Sequence, residues 1–495
     1  NDSIRINAPQ LNVKVIGEGG NLGMTQKARI EAARHGVHLN TDAIDNSAGV
    51  DCSDHEVNIK ILIDKAVSDG NLKEADRNRL LANMTNEVSD LVLRDNYLQT
   101  QLLSYETVMR AVPSADAHWR MMKNFEKQGM LDRAVEFLPD DDEMAGRIKN
   151  NKGLTRPELS VLMAYTKMDL YNNLIKSDLP DDKSLEDYLY DYFPAVLQQK
   201  FEKQIKNHRL RREIIATCVA NELINRMGLS FIYRLRDETG YQDDVIARAF
   251  ILAKRLYGFD EEWAKIEALD GKVPAVAQLR MFDTIRRLCE HVCLWFLRHG
   301  KAPLNIEKET ANYQELIQSM ISELPKHFSK AMETRHKRHK KAWLKDGLDD
   351  KTADHMALAP SLYALQDIAN AVVKTKQSPD LVMKAHYMMG EKLGMEQLHN
   401  KSRVMPNANY WQRVASQTII DSLYSFQAQA TLQAMDKAKG ADKKPEAADL
   451  IKEWCNDKGP AMLIYRNMVS ELESQQEVDH AMLNVALGHL KSITG

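Results

Sequence analysis

Cysteine is scarce: five residues (Cys52, Cys218, Cys289, Cys293, Cys455) are scattered over 495 positions. An odd number without regular spacing excludes a disulfide framework and fits a reducing compartment, so a cytoplasmic protein is expected. Glycine (22) and proline (14) fall well below the roughly 12% of average usage, which argues against a turn-rich all-β protein and for helix. Excess charge of one sign is missing too. Lys and Arg total 67 against 70 for Asp and Glu, a net charge of -3. Such a chain gains no global pull toward nucleic acid or an anionic membrane. No apolar run reaches the roughly 18 residues of a membrane span. The richest short run, Cys293-Leu294-Trp295-Phe296-Leu297, sits between Arg287 and Arg298. Asn1 to Arg5 shows no basic region followed by an apolar one, so no secretory signal is expected. What remains is a 44% hydrophobic, 28% charged composition, enough apolar side chains for a sizeable core.

Two textures meet near residue 70. The first alternates β-like runs with helical ones. Val13 to Ile16 is rich in β-branched residues and ends in Gly17-Glu18-Gly19-Gly20-Asn21. A helix is predicted from about Thr25 to His35, with Gly36 as its stop. Val37 to Asn40 reads as a second strand. The next helix is predicted to open at Ser53-Asp54-His55-Glu56, a capping-box pattern. Strand, helix, strand, helix is the rhythm of a parallel sheet. After Gly70 the pattern is almost wholly helical. Ile246, Ala249, Phe250, Ala253, Leu256 and Tyr257 form one stripe, ended by Gly258. Thr155-Arg156-Pro157-Glu158 is a helix start with a Thr cap, Pro in the first turn and Glu at the third position. Two parallel strands cannot stand alone, so the opening residues are expected to finish a sheet begun in a longer chain.

Gly17 to Gly23 lies where a dinucleotide fingerprint belongs. It is incomplete, because G-x-G-x-x-G asks for Gly at position 22, which is Leu. Taken with Asn46-Ser47-Ala48-Gly49-Val50-Asp51-Cys52-Ser53, however, this loop resembles the end of the NAD-binding domain of amino-acid dehydrogenases. Gly17 to Ile63, with Thr41 to Asn46 at its centre, most resembles the large NAD-specific glutamate dehydrogenases of bacteria. Leu91 to Gln99 and Leu154 to Leu159 are similar to their helical C-terminal region.

The resemblance implies NAD as cofactor, contacted by Gly19, Gly20 and Asn21 near the nicotinamide ribose and by Asn46 near the carboxamide. An amide can donate and accept at once, which suits both partners. It further implies that Ser53 contacts the distal carboxylate of glutamate. Read from the residues alone, Ser53 is equally a helix cap with Glu56. The smaller hexameric enzymes carry Ala-Gly-Gly-Val where this chain has Ser47 to Val50, and Thr in place of Cys52. The acid–base residues of oxidative deamination are implied to lie in a preceding substrate domain, so no catalytic residue is assigned within this chain.

Weaker constellations have ordinary readings. Cys289 and Cys293 lack a partner pair for zinc and read as core cysteines. Arg335 to Lys341 is a basic run that reads as a solvated helix face or subunit contact. Asp42, Asp45, Asp51 and Asp54 read as turn and cap residues rather than as a metal site. His55 and Asp54 read as a solvent-facing first-turn pair.

The expectation is therefore a mainly α chain. Residues 1–69 would be a short Rossmann-type α/β remnant of an NAD-binding domain, and 70–495 a large helical domain with sub-boundaries near 139–153 and 437–449. The implied activity of the complete polypeptide is interconversion of L-glutamate with 2-oxoglutarate and ammonia, in a homo-oligomer, without membrane or nucleic acid. This stretch alone is expected to be inactive. The helical domain reads as scaffold, oligomer contact or regulatory element. Another amino-acid dehydrogenase of the superfamily, or a non-catalytic helical or RNA-contacting module, stays open at this stage.

Overall fold

In the computed structural model, helices account for 76% of the described residues, 6–405, 410–438 and 446–495, and no strand occurs among them. Asn1 to Arg5 and much of the Lys437–Asp449 linker lie outside them. The chain divides into two units, Asn1–Leu252 with Gln278–Glu307, and Ala253–Ala277 with Lys308–Gly495.

In the first unit the expected parallel neighbours do meet, but through a single bridge between Val15 and His38. Ile16 N–H donates to His38 O at 3.0 Å, and His38 N–H to Lys14 O at 2.9 Å. Among the described residues this bridge is all that is seen of the anticipated α/β remnant. The reason is physical: Val13 and Val15 are 46% and 68% exposed, so no neighbouring strand or layer completes the ladder. Ala8, Ala32, Val37 and Leu39 form a small core beneath it.

Helix α1 (Gln26–Arg34) follows the sequence closely. The Thr25 hydroxyl accepts from Ala28 N–H, and Gly36 closes the helix at φ +86°. Next come α2 (Asp42–Asp45) and α3 (Ser47–Ser68), which abut at Asn46. The predicted capping box at Ser53 is corrected, because α3 has already begun six residues earlier. Then come α4 (Thr85–Tyr105), α5 (Arg156–Leu174) and α6 (Arg211–Met227). α5 has the expected Thr155/Glu158 capping box, Thr155 N–H donating to Glu158 Oε2 at 2.6 Å. Three side chains bind these elements together. Asn96 on α4 donates to Ile44 O and Ser47 Oγ. Arg156 at the head of α5 donates to Asn40 Oδ1, Ser104 Oγ and Thr100 O. Asn58 on α3 donates to the Tyr192 hydroxyl.

The second unit is helical throughout its described residues. The basic run lies on α7 (Lys330–Lys345), paired with α8 (Asp350–Leu362). His336 meets Asp354 at 3.1 Å, and Lys340 meets Asp350 and Asp354 at 3.0 Å each. Lys340 and His336 of that run are therefore matched by acids of the next helix. Cys289 and Cys293, in the first unit, are both buried, as core cysteines should be.

Candidate functional site

The Gly17–Gly23 loop is held by carboxylates from α2. Asp45 Oδ2 accepts Glu18 N–H, and Asp42 Oδ2 accepts Leu22 N–H, each at 2.9 Å. These acids are turn holders, as expected. Glu18 itself is buried and takes a bidentate hold from Arg29 of α1, at 2.6 and 2.8 Å, while accepting Met24 N–H at 2.9 Å. Leu22, at the position where the fingerprint asks for glycine, has φ +61° and is 84% exposed. The backbone there takes the left-handed conformation glycine favours, without the glycine. A Cβ on Gly19 or Gly20 would meet nothing within 4 Å. Protein packing does not demand those glycines, and they leave bare backbone open to a ligand.

Asn46 sits at the corner between α2 and α3. Its amide donates to Asn21 Oδ1 at 2.9 Å. A Cβ on Gly49 would press on Asn46 Oδ1 at 3.1 Å, which gives the Asn-x-x-Gly spacing a local cause. The structure thus brings Asn21 and Asn46 together, on the wall of a cavity of about 530 Å³. Ser53 is not among the lining residues; its hydroxyl donates to Gly49 O at 3.3 Å, one turn back on the same helix.

The rest of the wall was missed by sequence reading. It includes Asp51 and Asp54 from α3, Asp95 and Gln99 from α4, Lys167 from α5, and Asn221 and Asn225 from α6. Asp51 and Asp54 are accordingly not turn or cap residues but interior positions of α3. His55 is not solvent-facing. It is 3% exposed and stacks on Tyr192 at 4.4 Å, because α3 begins early enough to turn this side inward. Desolvation raises the Asp51 carboxyl to about 7, helped by the charges of Asp95 and Asp54. Burial likewise raises Asp95 and pulls the Lys167 ammonium down to about 8 against the two aspartates. Ligand atoms of Asp51, His55 and Asp95 lie within 4.8 Å of one another, but the Lys167 charge beside them disfavours a divalent cation. One signal was visible: Lys167 lies in the otherwise mostly apolar stretch Leu162 to Leu170.

The family described as "Glutamate dehydrogenase, C-terminal" matches residues 151–492, more than half of the chain. The chain belongs to this glutamate dehydrogenase family. Residues 1–106 match "Bacterial NAD-glutamate dehydrogenase, catalytic domain", so the Asn21–Asn46 corner and Asp95 fall in one matched region and Lys167 in the other. Three relatives are each named NAD-specific glutamate dehydrogenase. That of Pseudomonas aeruginosa is 38% identical over 98% of this chain, that of Halomonas elongata 37% over 99%, and that of Mycobacterium tuberculosis 30% over 100%. The chain spans 30% of the length of each. No helix among the described residues of this glutamate dehydrogenase family member is long and apolar enough to cross a membrane.

Proposed function

We propose that this chain acts as the C-terminal part of an NAD-dependent glutamate dehydrogenase that interconverts L-glutamate with 2-oxoglutarate and ammonia. The observation that carries the reading is the Asn21–Asn46 amide pair on a polar cavity, in a chain whose relatives are named for that activity. Residues 1–69 would be the end of a Rossmann-type NAD-binding domain, and residues 70–495 the helical domain behind it.

The residues present fit the cofactor. Gly19 and Gly20 offer open backbone, Asn21 and Asn46 offer amides, and the Arg29–Glu18 pair keeps the loop in shape. When bound, NAD accepts hydride from the substrate carbon. This chain's own contribution is to hold and orient: Asn46 fixes an amide-bearing ring, and the cavity wall shields the reacting region from bulk water. The acid–base residues would come from a substrate domain elsewhere in a longer polypeptide. Exposed apolar side chains among the opening residues (Val13, Val15, Leu22, Val50) support such a neighbour. A homo-oligomer in the cytoplasm completes the reading.

The test is NADH formation from L-glutamate, comparing this chain with the complete gene product. Turnover is expected from the complete product and none from this chain. A complete product that leaves L-glutamate untouched refutes the reading.

A further inference from the structure

The head of α5 is a fixed platform. Its capping box ties Thr155 to Glu158, and the buried Glu158 carboxylate is gripped by Arg147 at 2.7 and 2.8 Å. Pro157 O accepts the side-chain amide of Gln26, from α1, at 3.2 Å. Arg156 stands among these anchors and is half-buried. Its two terminal nitrogens donate to Ser104 Oγ at 2.9 Å and Thr100 O at 3.1 Å on α4, and its Nε donates to Asn40 Oδ1 at 2.5 Å. Arg156 makes no ion pair among the described residues, although burial works against its charge and Asp45 favours it. A guanidinium drawn out of water is usually set directly against a carboxylate. Here the carboxylate is one step further on. Asn40 Nδ2 donates to Asp45 Oδ1 at 2.7 Å, and Asp45 Oδ2 accepts Glu18 N–H at 2.9 Å. One line of three hydrogen bonds therefore runs from α5 to the backbone of the Gly17–Gly23 loop. It joins the two matched regions, since Arg156 lies in 151–492 while Asn40, Asp45 and Glu18 lie in 1–106.

We propose that Arg156 is a positioning residue for the cofactor loop: acting through Asn40 and Asp45, it sets the backbone at Glu18 and with it the open Gly19–Gly20 backbone and Asn21. The proposal rests on the dehydrogenase reading above and gives the helical domain a part in cofactor binding. The Asn40 amide has one end committed to each charge, its oxygen to Arg156 and its nitrogen to Asp45, so it cannot turn without losing both bonds. That fixes which Asp45 oxygen faces the loop, and a carboxylate oxygen is a stronger acceptor for a backbone N–H than a neutral carbonyl. The neighbouring amides hang elsewhere. Leu22 N–H is held by Asp42 and Met24 N–H by the Glu18 side chain, so both lie off the line.

The experiment uses the complete gene product and first reads amide hydrogen exchange by mass spectrometry with no cofactor added. Arg156→Met should speed exchange at Glu18 roughly tenfold and leave Leu22 and Met24 within about threefold of the unmodified protein. In turnover assays the same change should raise KM for NAD roughly tenfold and hold KM for L-glutamate within about twofold. Arg156→Lys, which keeps the charge and a donor, should recover part of both effects. Asn40→Ala removes the middle of the line and should reproduce them; it decides the matter if Arg156→Met does not fold. The two changes combined should cost no more than either alone, because they cut the same line. Exchange raised equally at Glu18, Leu22 and Met24, an unchanged KM for NAD, or losses that multiply in the double variant overturn the proposal while leaving the dehydrogenase reading intact. An unmodified protein with no glutamate turnover overturns both.

Discussion

Removing Arg29 should loosen the Gly17–Gly23 loop without unfolding the chain. The guanidinium makes two bonds to Glu18, at 2.6 and 2.8 Å, and approaches Asp42 at 3.2 Å. The Arg29 and Glu18 side chains are only 6% and 5% exposed. In Arg29→Met the Glu18 carboxylate would keep one donor, Met24 N–H, and face Asp42 without a cation between them. Breaking one partner of a buried pair costs about 3–5 kcal/mol. The loop can instead open to water, so the lower figure applies, and the opening is local. About 3 kcal/mol is about a 100-fold rise in the open population at 1.4 kcal/mol per tenfold. Amide hydrogen exchange followed by mass spectrometry should show that acceleration at Leu22 and Met24, where the acceptors are the affected carboxylates. Glu18→Gln in the same background should restore much of the protection, because the orphaned charge is gone. Exchange at Leu22 and Met24 within about threefold of the unmodified protein would show that the pair contributes nothing and refute the reasoning.

Asn46→Ala in the complete gene product should lower glutamate turnover by about 10- to 100-fold with little change in melting temperature, since Asn46 is half-buried and its side chain bonds Asn21; an unchanged rate removes Asn46 from the site. Asp51→Asn should stabilise the fold at pH 8 and do nothing at pH 4. The folded pKa is raised to about 7, so burial costs nothing below the unfolded value, and the penalty grows as pH rises from there through 7. Shared with Asp95 and open to the cavity, it should come to about 1–3 kcal/mol in denaturant melts, and an equal effect at both pH values would contradict it. Gly153→Ala should destabilise the first unit by about 3 kcal/mol, because the added Cβ would fall 1.9 Å from Ala111 O; a melting temperature equal to the parent's would show that this approach relaxes freely. An RNA probe at moderate salt should not be retarded by this chain, since Lys340 and His336 are already matched by Asp350 and Asp354; retardation lost in an Arg335→Glu, Lys337→Glu, Arg338→Glu variant would revive the binding-module reading.

Local chemistry was legible without coordinates. Thr25 and Gly36 bound α1, Thr155 and Glu158 start α5, and scarce glycine and proline announced a helical protein. These depend on neighbours within a turn, so the order of residues suffices to specify them. The Asn21 and Asn46 pair was named by resemblance and brought together by folding, across 25 positions. Where α3 begins was misjudged, because a Ser-x-x-Glu pattern inside a helix looks the same on paper as one at its end. That error turned His55 and Asp51 outward, when both face inward.

Sequence by itself determined the helical class, the caps and the kinship of the opening loop, all set by short-range sterics, hydrogen bonding and pattern. Tertiary structure alone decided that Lys167, Asp95, Asn221 and Asn225 stand around the corner made by Asn46. They come from three helices as far as 179 positions along the chain from that corner. A cavity wall assembled from distant helices leaves no periodic trace in any one of them. Its charge balance and shifted ionisations arise only when packing removes the water that would otherwise screen each group.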